Sequence, residues 1–271
     1  MGMIRIGISG WRYPPWRGTF YPAGLAQGDE LSFAAARLGS VEINGTFYGL
    51  QHPAVFAAWH DAVPADFVFA VKAPRYVTHM LRLRAARAPV ANFLASGLFA
   101  LGAKLGPLLW QLPARSAYDP ERLESFLALL PHDTAAAAAL ASSHDARLAG
   151  RVLLEPGPLR PLRHAIEVRH PSFGVPDFVA RLRRHRVALV VSDAPAWPQF
   201  TAVTADFVYC RLHGVGELYA GGYDAAGLAA WAARLRTWAE TGDVFAYFDN
   251  DAKVRAPFDA MALRALLAAD R

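Results

Sequence analysis

Cysteine is nearly absent from this chain of 271 residues, which holds Cys210 and no other. A disulfide within the chain is therefore excluded, and such sparing use of cysteine is typical of a reducing, cytoplasmic compartment. Because Cys210 lies within an apolar run, we predict a buried, unreactive thiol and not a nucleophile.

Long apolar runs are also absent, although hydrophobic residues make up 54% of the chain. No stretch approaches the roughly 20 consecutive apolar residues that a membrane-spanning helix needs. The first residues read as a strand and lack the basic region, apolar region and cleavage site of a signal peptide. We therefore expect a cytoplasmic location and no membrane partner.

Lysine is scarce as well. Of 28 basic residues only Lys72, Lys104 and Lys253 are lysine, and the formal net charge is +5. This mild positive charge favours anionic partners. The pKa of lysine shifts readily and its charge is compact, two properties that arginine lacks. Because Lys72 ends a predicted strand, we predict that it has a function there.

Runs of β-branched and aromatic residues alternate with helical patterns along the chain. Strands are predicted at about 4–10, 40–46, 67–73, 107–112, 164–170, 188–193, 206–213 and 244–249. Helices are predicted at 29–38, 53–62, 89–104, 119–130, 175–186, 225–240 and 256–269. Strands that alternate with helices pair in parallel through right-handed crossovers, and eight such units close a barrel. We therefore predict an α/β protein with a single TIM-like (β/α)8 barrel domain over residues 1–271.

Two crossovers depart from the regular pattern. Residues 132–163 begin with an alanine-rich helix, Ala135–Ala141, and end in several prolines, which predicts a helical extension of the fourth crossover and not a second domain. In the sixth crossover, residues 194–205, Pro195 and Pro198 leave room for little helix.

Charged side chains stand where predicted strands end. Five runs share this design: Val41-Glu42-Ile43-Asn44, Ala70-Val71-Lys72, Ile166-Glu167-Val168-Arg169, Val191-Ser192-Asp193 and Cys210-Arg211-Leu212-His213. Buried strands do not normally carry charge, because desolvation of an unpaired charge is costly. In (β/α)8 barrels the carboxyl ends of the strands carry the active site. The pattern therefore predicts a polar site at that end.

Side chains alternate between the two faces of a strand, so parity predicts which of them lie together. It groups Glu42, Asn44 and Thr46, then Glu167 and Arg169, then Tyr209, Arg211 and His213, and sets Gln111 against its apolar neighbours. We expect these polar faces to point to the barrel axis. They could form a buried ion-pair network with a structural role, but repetition over five strands favours a ligand or catalytic site.

The loop after the first strand, residues 11–21, alternates aromatic and arginine side chains. Such a pattern can stack sugars or bases and hold phosphates, or it can pack upon itself. Trp11 of this loop and Tyr48 are candidates for an aromatic mouth, and His79 and His170 follow strands closely enough to reach it.

Together these motifs resemble the YecE-like family, also called domain of unknown function 72. The residues that carry the resemblance are Val41–Tyr48, Phe69–Lys72 with Thr78-His79, Gln111–Pro113, Glu167–Phe173, Ser192-Asp193 and Tyr209–Gly214. The resemblance implies a TIM-like barrel and no particular reaction. In the last family motif two asparagines follow Tyr-x-Tyr/Phe, whereas this chain has Asp249-Asn250 and lacks the downstream glycines. Asp249 therefore adds a potential negative charge.

We predict catalytic roles for Glu42, Lys72 and Glu167. The predicted ligand-binding residues are Trp11, Asn44, Tyr48, His79, Gln111, Arg169, His170, Asp193, Arg211, His213, Asp249 and Asn250. Lysine and arginine would hold an anionic ligand, a phosphorylated sugar or nucleic acid, and a glutamate would act as general acid or base. No cofactor is predicted, because no glycine-rich phosphate loop, HExxH or GxSxG is present.

Two alternatives are open. The first is a metal-dependent sugar isomerase or phosphodiesterase, similar to abasic-site nucleases, with Glu167, Asp193, His213 and Asp249 binding Mg²⁺, Mn²⁺ or Zn²⁺. Arg169 and Arg211 count against it, since fixed cations repel a metal. The second is a non-catalytic protein that binds nucleic acid or another anionic ligand. The sequence sets no oligomeric state.

Overall fold

The computed structural model describes residues 2–269, and within this range eight parallel strands form a closed barrel in chain order. The strands are β1 Ile4–Ser9, β2 Ser40–Ile43, β3 Val68–Lys72, β4 Leu105–Gln111, β5 His164–Glu167, β6 Ala188–Asp193, β7 Phe207–Leu212 and β8 Asp243–Phe248. The prediction of a TIM-like (β/α)8 barrel is confirmed.

Helices follow most of the strands. They are α1 Glu30–Ala35, α2 Gly45–Tyr48, α3 Pro53–Asp61, α4 Arg87–Ala95, α5 Pro120–Leu127, α6 Thr134–Ala141, α7 Pro176–Arg184, α8 Ala225–Ala239 and α9 Arg255–Ala269. Asp119, Asp133 and Asp224 start α5, α6 and α8, because each carboxylate accepts a hydrogen bond from the amide three residues later. Helix α6 is the predicted extension of the fourth crossover. None of the helices within residues 2–269 is long and apolar enough to cross a membrane.

Two strands, β2 and β5, end three residues earlier than predicted, and the difference changes the parity argument. β2 ends at Ile43, because Asn44 adopts a helical conformation and Thr46 donates a hydrogen bond to the carbonyl of Ile43 (3.2 Å). β5 ends at Glu167, so Arg169 also lies beyond its strand. The prediction that Asn44 and Thr46 continue the face of Glu42 along a strand is therefore wrong.

The predicted helix 89–104 is interrupted at Gly97, which has a φ of 127° and separates α4 from a 3-10 helix at Leu98–Lys104. A β-carbon at Gly97 would lie 2.6 Å from the α-carbon of Pro53. Only glycine combines this backbone conformation with such a close approach.

The chain divides into two compact units. The first contains residues up to Glu42 together with those from Ala188 onward, and the second is Ile43–Val187. A single functional domain over residues 1–271 stays a prediction.

The core of the second unit includes a histidine that is locked in its neutral form. The Trp110 indole donates a hydrogen bond to Nδ1 of the fully buried His164 (3.1 Å), and Nε2 lies 2.7 Å from the carbonyl oxygen of Pro131. Because an indole N–H can only donate, the ring proton lies on Nε2. Burial lowers the pKa of His164 to about 4. His164 is therefore a structural residue of the core.

The cysteine lies in β7 of the first unit. Cys210 is fully buried, and burial raises the pKa of its thiol well above the ordinary value. The prediction of a buried thiol is confirmed, and the raised pKa keeps it protonated and poorly nucleophilic.

Candidate functional site

Glu42 and Arg211 lie at the centre of a buried polar cluster in the first unit. The members of this buried polar cluster are Ser9, Glu42, Tyr209, Arg211, His213 and Asp249. The carboxylate of Glu42 accepts hydrogen bonds from the hydroxyls of Ser9 (2.9 Å) and Tyr209 (2.6 Å). Arg211 donates to both carboxylate oxygens, through Nε (3.0 Å) and Nη2 (2.9 Å). This bidentate geometry is the strongest form of an arginine–carboxylate pair.

Alternation along β7 supplies half of the buried polar cluster. Tyr209, Arg211 and His213 point together, since Tyr209 and Arg211 both contact Glu42 and Arg211 Nη1 lies 3.1 Å from His213 Nε2. This confirms the parity prediction for β7. Burial and the charge of Glu42 raise the pKa of Tyr209 well above its ordinary value, so the phenol stays protonated and donates.

Arg211 also contacts the carboxyl end of β8. Its Nη2 lies 3.0 Å from Oδ2 of Asp249, so this buried guanidinium pairs with two carboxylates. Oδ2 of Asp249 also lies 3.3 Å from His213 Nε2, and Nδ1 of His213 lies 3.4 Å from the Ser192 hydroxyl. His213 Nε2 therefore faces a donor, Arg211, and an acceptor, Asp249. If Nε2 carries a proton, it can donate to Asp249, and if it carries a lone pair, it can accept from Arg211.

A second carboxyl group follows Asp249 at Asp251. Burial, and then the charge of Asp249, raise the pKa of Asp251 to about 6, although a hydrogen bond from Tyr13 and the charge of Arg211 act in the opposite direction. Two neighbouring carboxyl groups thus differ in their surroundings: Asp249 pairs with cations, and Asp251 holds a proton up to about pH 6. Such a difference is typical of acid–base pairs.

The second unit contains a cationic cluster. Its members are Lys72, Arg75, His79, Arg115 and Arg169. Lys72 is the last residue of β3. Arg75 caps the π-helix Tyr76–Met80, which contains His79, and Arg115 and Arg169 follow β4 and β5. Burial, and then the charges of Lys72, Arg169, Arg75 and Arg115, lower the pKa of His79 to about 4. The imidazole is therefore neutral at pH 7, and four positive side chains lie close enough to act on it.

Glu167 supplies a carboxylate next to the cationic cluster. Its side chain is fully buried, and Oε1 accepts a hydrogen bond from Arg169 Nε at 2.6 Å. The predicted electrostatic coupling between Glu167 and Arg169 is therefore a direct ion pair. The pair fixes the guanidinium of Arg169, which is mostly buried.

Aromatic rings line one side of the cationic cluster. Lys72 Nζ lies 4.4 Å from the centroid of the Phe47 ring, and His79 meets the same ring edge to face at 5.0 Å. Tyr48 packs against Phe47 at 5.1 Å and is 74% exposed. The Thr78 hydroxyl lies 2.9 Å from His79 Nδ1. When this hydroxyl donates, the proton of the neutral ring lies on Nε2, which is then a hydrogen-bond donor.

The aromatic loop of residues 11–21 packs largely upon itself. Trp11, Trp16 and Tyr21 are buried, and the Tyr21 hydroxyl donates to the backbone oxygen of Trp11 (2.6 Å). Arg12 and Arg17 are exposed. Trp11 is thus packed inside this loop. Its predicted contact with a ligand stays a prediction.

Two predicted ligand-binding residues of the first unit bind other parts of the protein. Oδ2 of Asp193 accepts hydrogen bonds from the Tyr223 hydroxyl (2.9 Å) and the Trp231 indole of α8 (3.2 Å). Asn250 is buried and donates to Gly221 O and to Asp259 Oδ2, both at 2.8 Å. These contacts hold α8 and α9 in place, which gives both residues a structural role.

Three predicted ligand-binding residues of the second unit are in different situations. Two of them form hydrogen bonds with nearby residues, and the third has a buried oxygen atom. Gln111 is buried and donates to the backbone oxygen of Leu112 (3.0 Å). His170 Nδ1 lies 2.8 Å from the Ser172 hydroxyl and accepts a hydrogen bond from the Ser172 amide, so His170 caps the 3-10 helix Pro171–Phe173. Asn44 Oδ1 is buried and has no hydrogen-bond partner among the described residues.

The residues of the alternative metal set are not assembled into a metal centre. Across residues 2–269, no group of three or more His, Cys, Asp or Glu side chains is arranged to hold a metal ion. Asp193 binds Tyr223 and Trp231, while His213 and Asp249 share contacts with Arg211.

Comparison with known proteins identifies the family. The family model described as "Protein of unknown function DUF72" matches residues 5–271. The chain belongs to the DUF72 family.

Several relatives carry the same fold. A DUF72 family protein of Thermotoga maritima MSB8 superposes with a TM-score of 0.78 at 23% identity, over 98% of this chain and 99% of that one. A DUF72 family protein of Enterococcus faecalis V583 gives 0.72 at 20% identity, over 99% and 98%. The UPF0759 protein YecE of Escherichia coli K12 is 28% identical over 174 residues, which is 63% of this chain and 50% of YecE. The match therefore spans only half the length of that relative.

Asp249 adds a charge to the carboxyl end of β8 in this DUF72 chain. Its carboxylate pairs with Arg211 and lies 3.3 Å from His213 Nε2. Asparagine at this position could accept a hydrogen bond from Arg211 but would not carry a charge. The charge of Asp249 thus adds an ion pair to the buried polar cluster and raises the pKa of Asp251.

Sequence reasoning missed several residues of the two clusters in this DUF72 chain. No periodic pattern marks Arg75 and Arg115, yet they lie two and three residues beyond the ends of predicted strands. Asp251 lies two residues beyond Asp249. The position of a charged residue just after a strand is the signal that could have found all three.

Proposed function

We propose that this DUF72 chain binds a ligand with a phosphate or similar anionic group at the cationic cluster. The observation that carries the proposal is that Lys72 Nζ and the His79 ring both contact the Phe47 ring, at 4.4 and 5.0 Å. The charges of Arg169, Arg75 and Arg115 also act on His79. A phosphate ester carries a charge of about −1.5 to −2 at pH 7. Arginine binds such a group through paired N–H donors, and lysine binds it as a point charge.

His79 suits this role because it is uncharged. The cations around it supply the attraction, and the neutral ring contributes an Nε2–H donor without further charge repulsion. Glu167 holds Arg169 in place, and Lys72 is held above the Phe47 ring. We therefore assign Glu167 a positioning role and Lys72 a direct contact with the anion.

Acid–base chemistry is a second candidate function, favoured by the contrast between Asp249 and Asp251 in the first unit. Asp251 stays protonated to about pH 6 and could donate a proton, as the general acid of a hydrolytic or lyase reaction does. Glu42 is bound by donors at both carboxylate oxygens, which suits a positioning residue for Arg211 better than a general base.

Calorimetric titration with inorganic phosphate and with phosphate monoesters tests the binding proposal. Lys72→Met is expected to weaken binding about 10-fold or more, because a charge-assisted hydrogen bond contributes about 1.5–3 kcal/mol. The matched control is Lys253→Met, since Lys253 is exposed and pairs only with exposed Glu217 among the contacts described. Equal affinities in the two variants, or no binding by the parent protein, would contradict the proposal.

Two further measurements separate the alternatives. Binding of a phosphate ester without turnover, or a steeply salt-dependent affinity for oligonucleotides, would favour a non-catalytic binding protein. Elemental analysis of protein purified without chelators tests the metal-dependent enzyme. Near-stoichiometric metal that is lost on Asp193→Ala together with His213→Ala would favour that alternative over the anion-binding model.

A further inference from the structure

A small cavity lies among the loops that also carry the cationic cluster. Its walls come from the loops after β3, β4 and β5 and from the start of α5. Ser116 lines the cavity and directly follows Arg115 in the chain, and Arg82 lies three residues after His79. The cavity and the cationic cluster are therefore built from the same three segments, those that follow β3, β4 and β5.

The walls of the cavity combine an apolar floor with a few polar groups. Leu112, Leu123 and Phe173 form the apolar part. The charged residues Asp119 and Arg122 pair with each other, Arg122 Nη2 to Asp119 Oδ2, at 2.5 Å. The exposed Arg82 also lines the cavity and lies outside this pair. The apolar walls leave room for a small group that carries a hydroxyl.

One polar atom in the cavity has no partner. The Ser116 Oγ atom is buried and makes no hydrogen bond with any described residue, although the Ser116 amide donates to Pro113 O (2.9 Å). A serine hydroxyl can both donate and accept, and burial without a partner is unfavourable. The group that satisfies this hydroxyl therefore needs a donor or acceptor of its own.

The size of the cavity limits what can enter. Its volume is about 20 Å³, which is room for a single water-sized group. A hydroxyl or hydroxymethyl group fits, and a nucleobase ring does not. The wall next to Ser116 is fixed, because the Tyr118 amide donates to the Ser172 hydroxyl (2.7 Å) and joins the two loops.

We infer that Ser116 binds a hydroxyl group of the ligand, and that the ligand is a phosphorylated sugar. This inference rests on the proposed anion site: the phosphate binds the cationic cluster, and one sugar hydroxyl enters the cavity at Ser116. Leu112 and Phe173 contact the carbon to which that hydroxyl is attached. Ser116 is thus a specificity-determining residue, which selects a polyol phosphate over inorganic phosphate.

The test compares inorganic phosphate with ribose 5-phosphate, glucose 6-phosphate and glycerol 3-phosphate by calorimetry. At least one of the polyol phosphates is expected to bind about 10-fold more tightly than inorganic phosphate. Ser116→Ala removes most of that advantage and leaves the Kd for inorganic phosphate unchanged. Ser125→Ala is the control on α5, since the Ser125 hydroxyl already donates to the backbone of Glu121.

Urea denaturation of Ser116→Ala distinguishes a structural role of Ser116 from a role in ligand binding. Loss of a buried hydroxyl without partners is not expected to lower the urea midpoint of Ser116→Ala. A lowered midpoint with unchanged ligand selectivity would overturn the inference.

The remaining outcomes are also decisive. Equal affinity for all phosphates overturns the sugar inference and leaves the anion site standing. Binding of none of them overturns both. Tighter binding of a single-stranded oligonucleotide, insensitive to Ser116→Ala, overturns the sugar in favour of nucleic acid.

Discussion

The buried polar cluster and the cationic cluster use the same kinds of residue and differ in their balance of charge. In the first, the guanidinium of Arg211 is fully buried and pairs with two carboxylates. In the second, four cations act on His79, and the carboxylate identified beside them, Glu167, pairs with Arg169. A strand-end charge can therefore hold the protein together in one place and attract a ligand in another.

The physical basis of this difference is desolvation. A buried charge is tolerated when hydrogen bonds and an opposite charge replace its water, as they do for Glu42. Among the cations that act on His79, Arg75 and Arg115 are exposed and keep contact with water, Lys72 is half-buried and Arg169 is mostly buried. Their mutual repulsion is offset when an anion binds. The predictions below test this contrast, from the largest expected effect to the smallest.

Glu42→Leu tests the structural side of the comparison. We expect it to lower the free energy of unfolding by about 3–5 kcal/mol, because Arg211 stays buried after losing a bidentate partner. Urea denaturation measures the change. The control is Glu217→Leu, which removes an exposed pair with Lys253 and is expected to cost less than about 1 kcal/mol. Equal effects of the two substitutions would remove the distinction between the clusters.

The pKa of His79 tests the ligand-binding side. Saturation with phosphate is expected to raise it from about 4 by about 1 unit or more, because an anion offsets the cations that disfavour the protonated ring. NMR titration of the imidazole signals measures the shift. His164 is the internal control: its pKa of about 4 results chiefly from burial and should not move. A shift of both histidines would indicate a general change of the protein.

The raised pKa of Asp251 tests how burial and the charge of Asp249 affect stability next to the buried polar cluster. With a folded-state pKa of about 6 and an ordinary value of 3.8, the stability that its proton contributes is present below about pH 4 and lost as the pH rises through about 6. Asp251→Asn should therefore gain about 1 kcal/mol of stability relative to the parent protein between pH 4 and pH 7, after allowance for partial exposure. Asp249→Asn should lower the Asp251 pKa only in part, because burial is the larger cause. A pH-independent difference would refute this account.

Arg115→Gln is expected to have the smallest effect. Arg115 is exposed and contributes positive charge to the cationic cluster, so its removal should change the free energy of unfolding by less than about 1 kcal/mol and weaken phosphate binding a few-fold. Arg12→Gln, on the exposed loop of the first unit, should change neither. Strong destabilisation by Arg115→Gln would show that this arginine has a structural role.

Periodic patterns predicted the fold and half of the buried polar cluster. The alternation of Tyr209, Arg211 and His213 is a property of one strand, and such local geometry can be read from the chain. The same reasoning failed for Asn44, because the backbone turns into a helical conformation there and β2 ends at Ile43, three residues earlier than predicted.

Contacts between distant elements could not be read in this way. Asp193 ends β6 as predicted, but its carboxylate binds the indole of Trp231, 38 residues later on α8. Arg75 and Arg115 follow β3 and β4, and only the three-dimensional arrangement shows that both act on His79. Strand ends indicate where charge gathers, while the partners of each charge depend on the whole fold.

The pairing of Glu42 with Arg211 has a consequence for the synthesis of the chain. Arg211 follows Glu42 by 169 residues, so a ribosome that adds about 5–20 residues per second needs roughly 10–30 seconds to supply the guanidinium. Until then the carboxylate of Glu42 keeps its water, and β1 and β2 cannot bury it at low cost. Burial of the Glu42 carboxylate at low cost is therefore expected only after β7 has been synthesised.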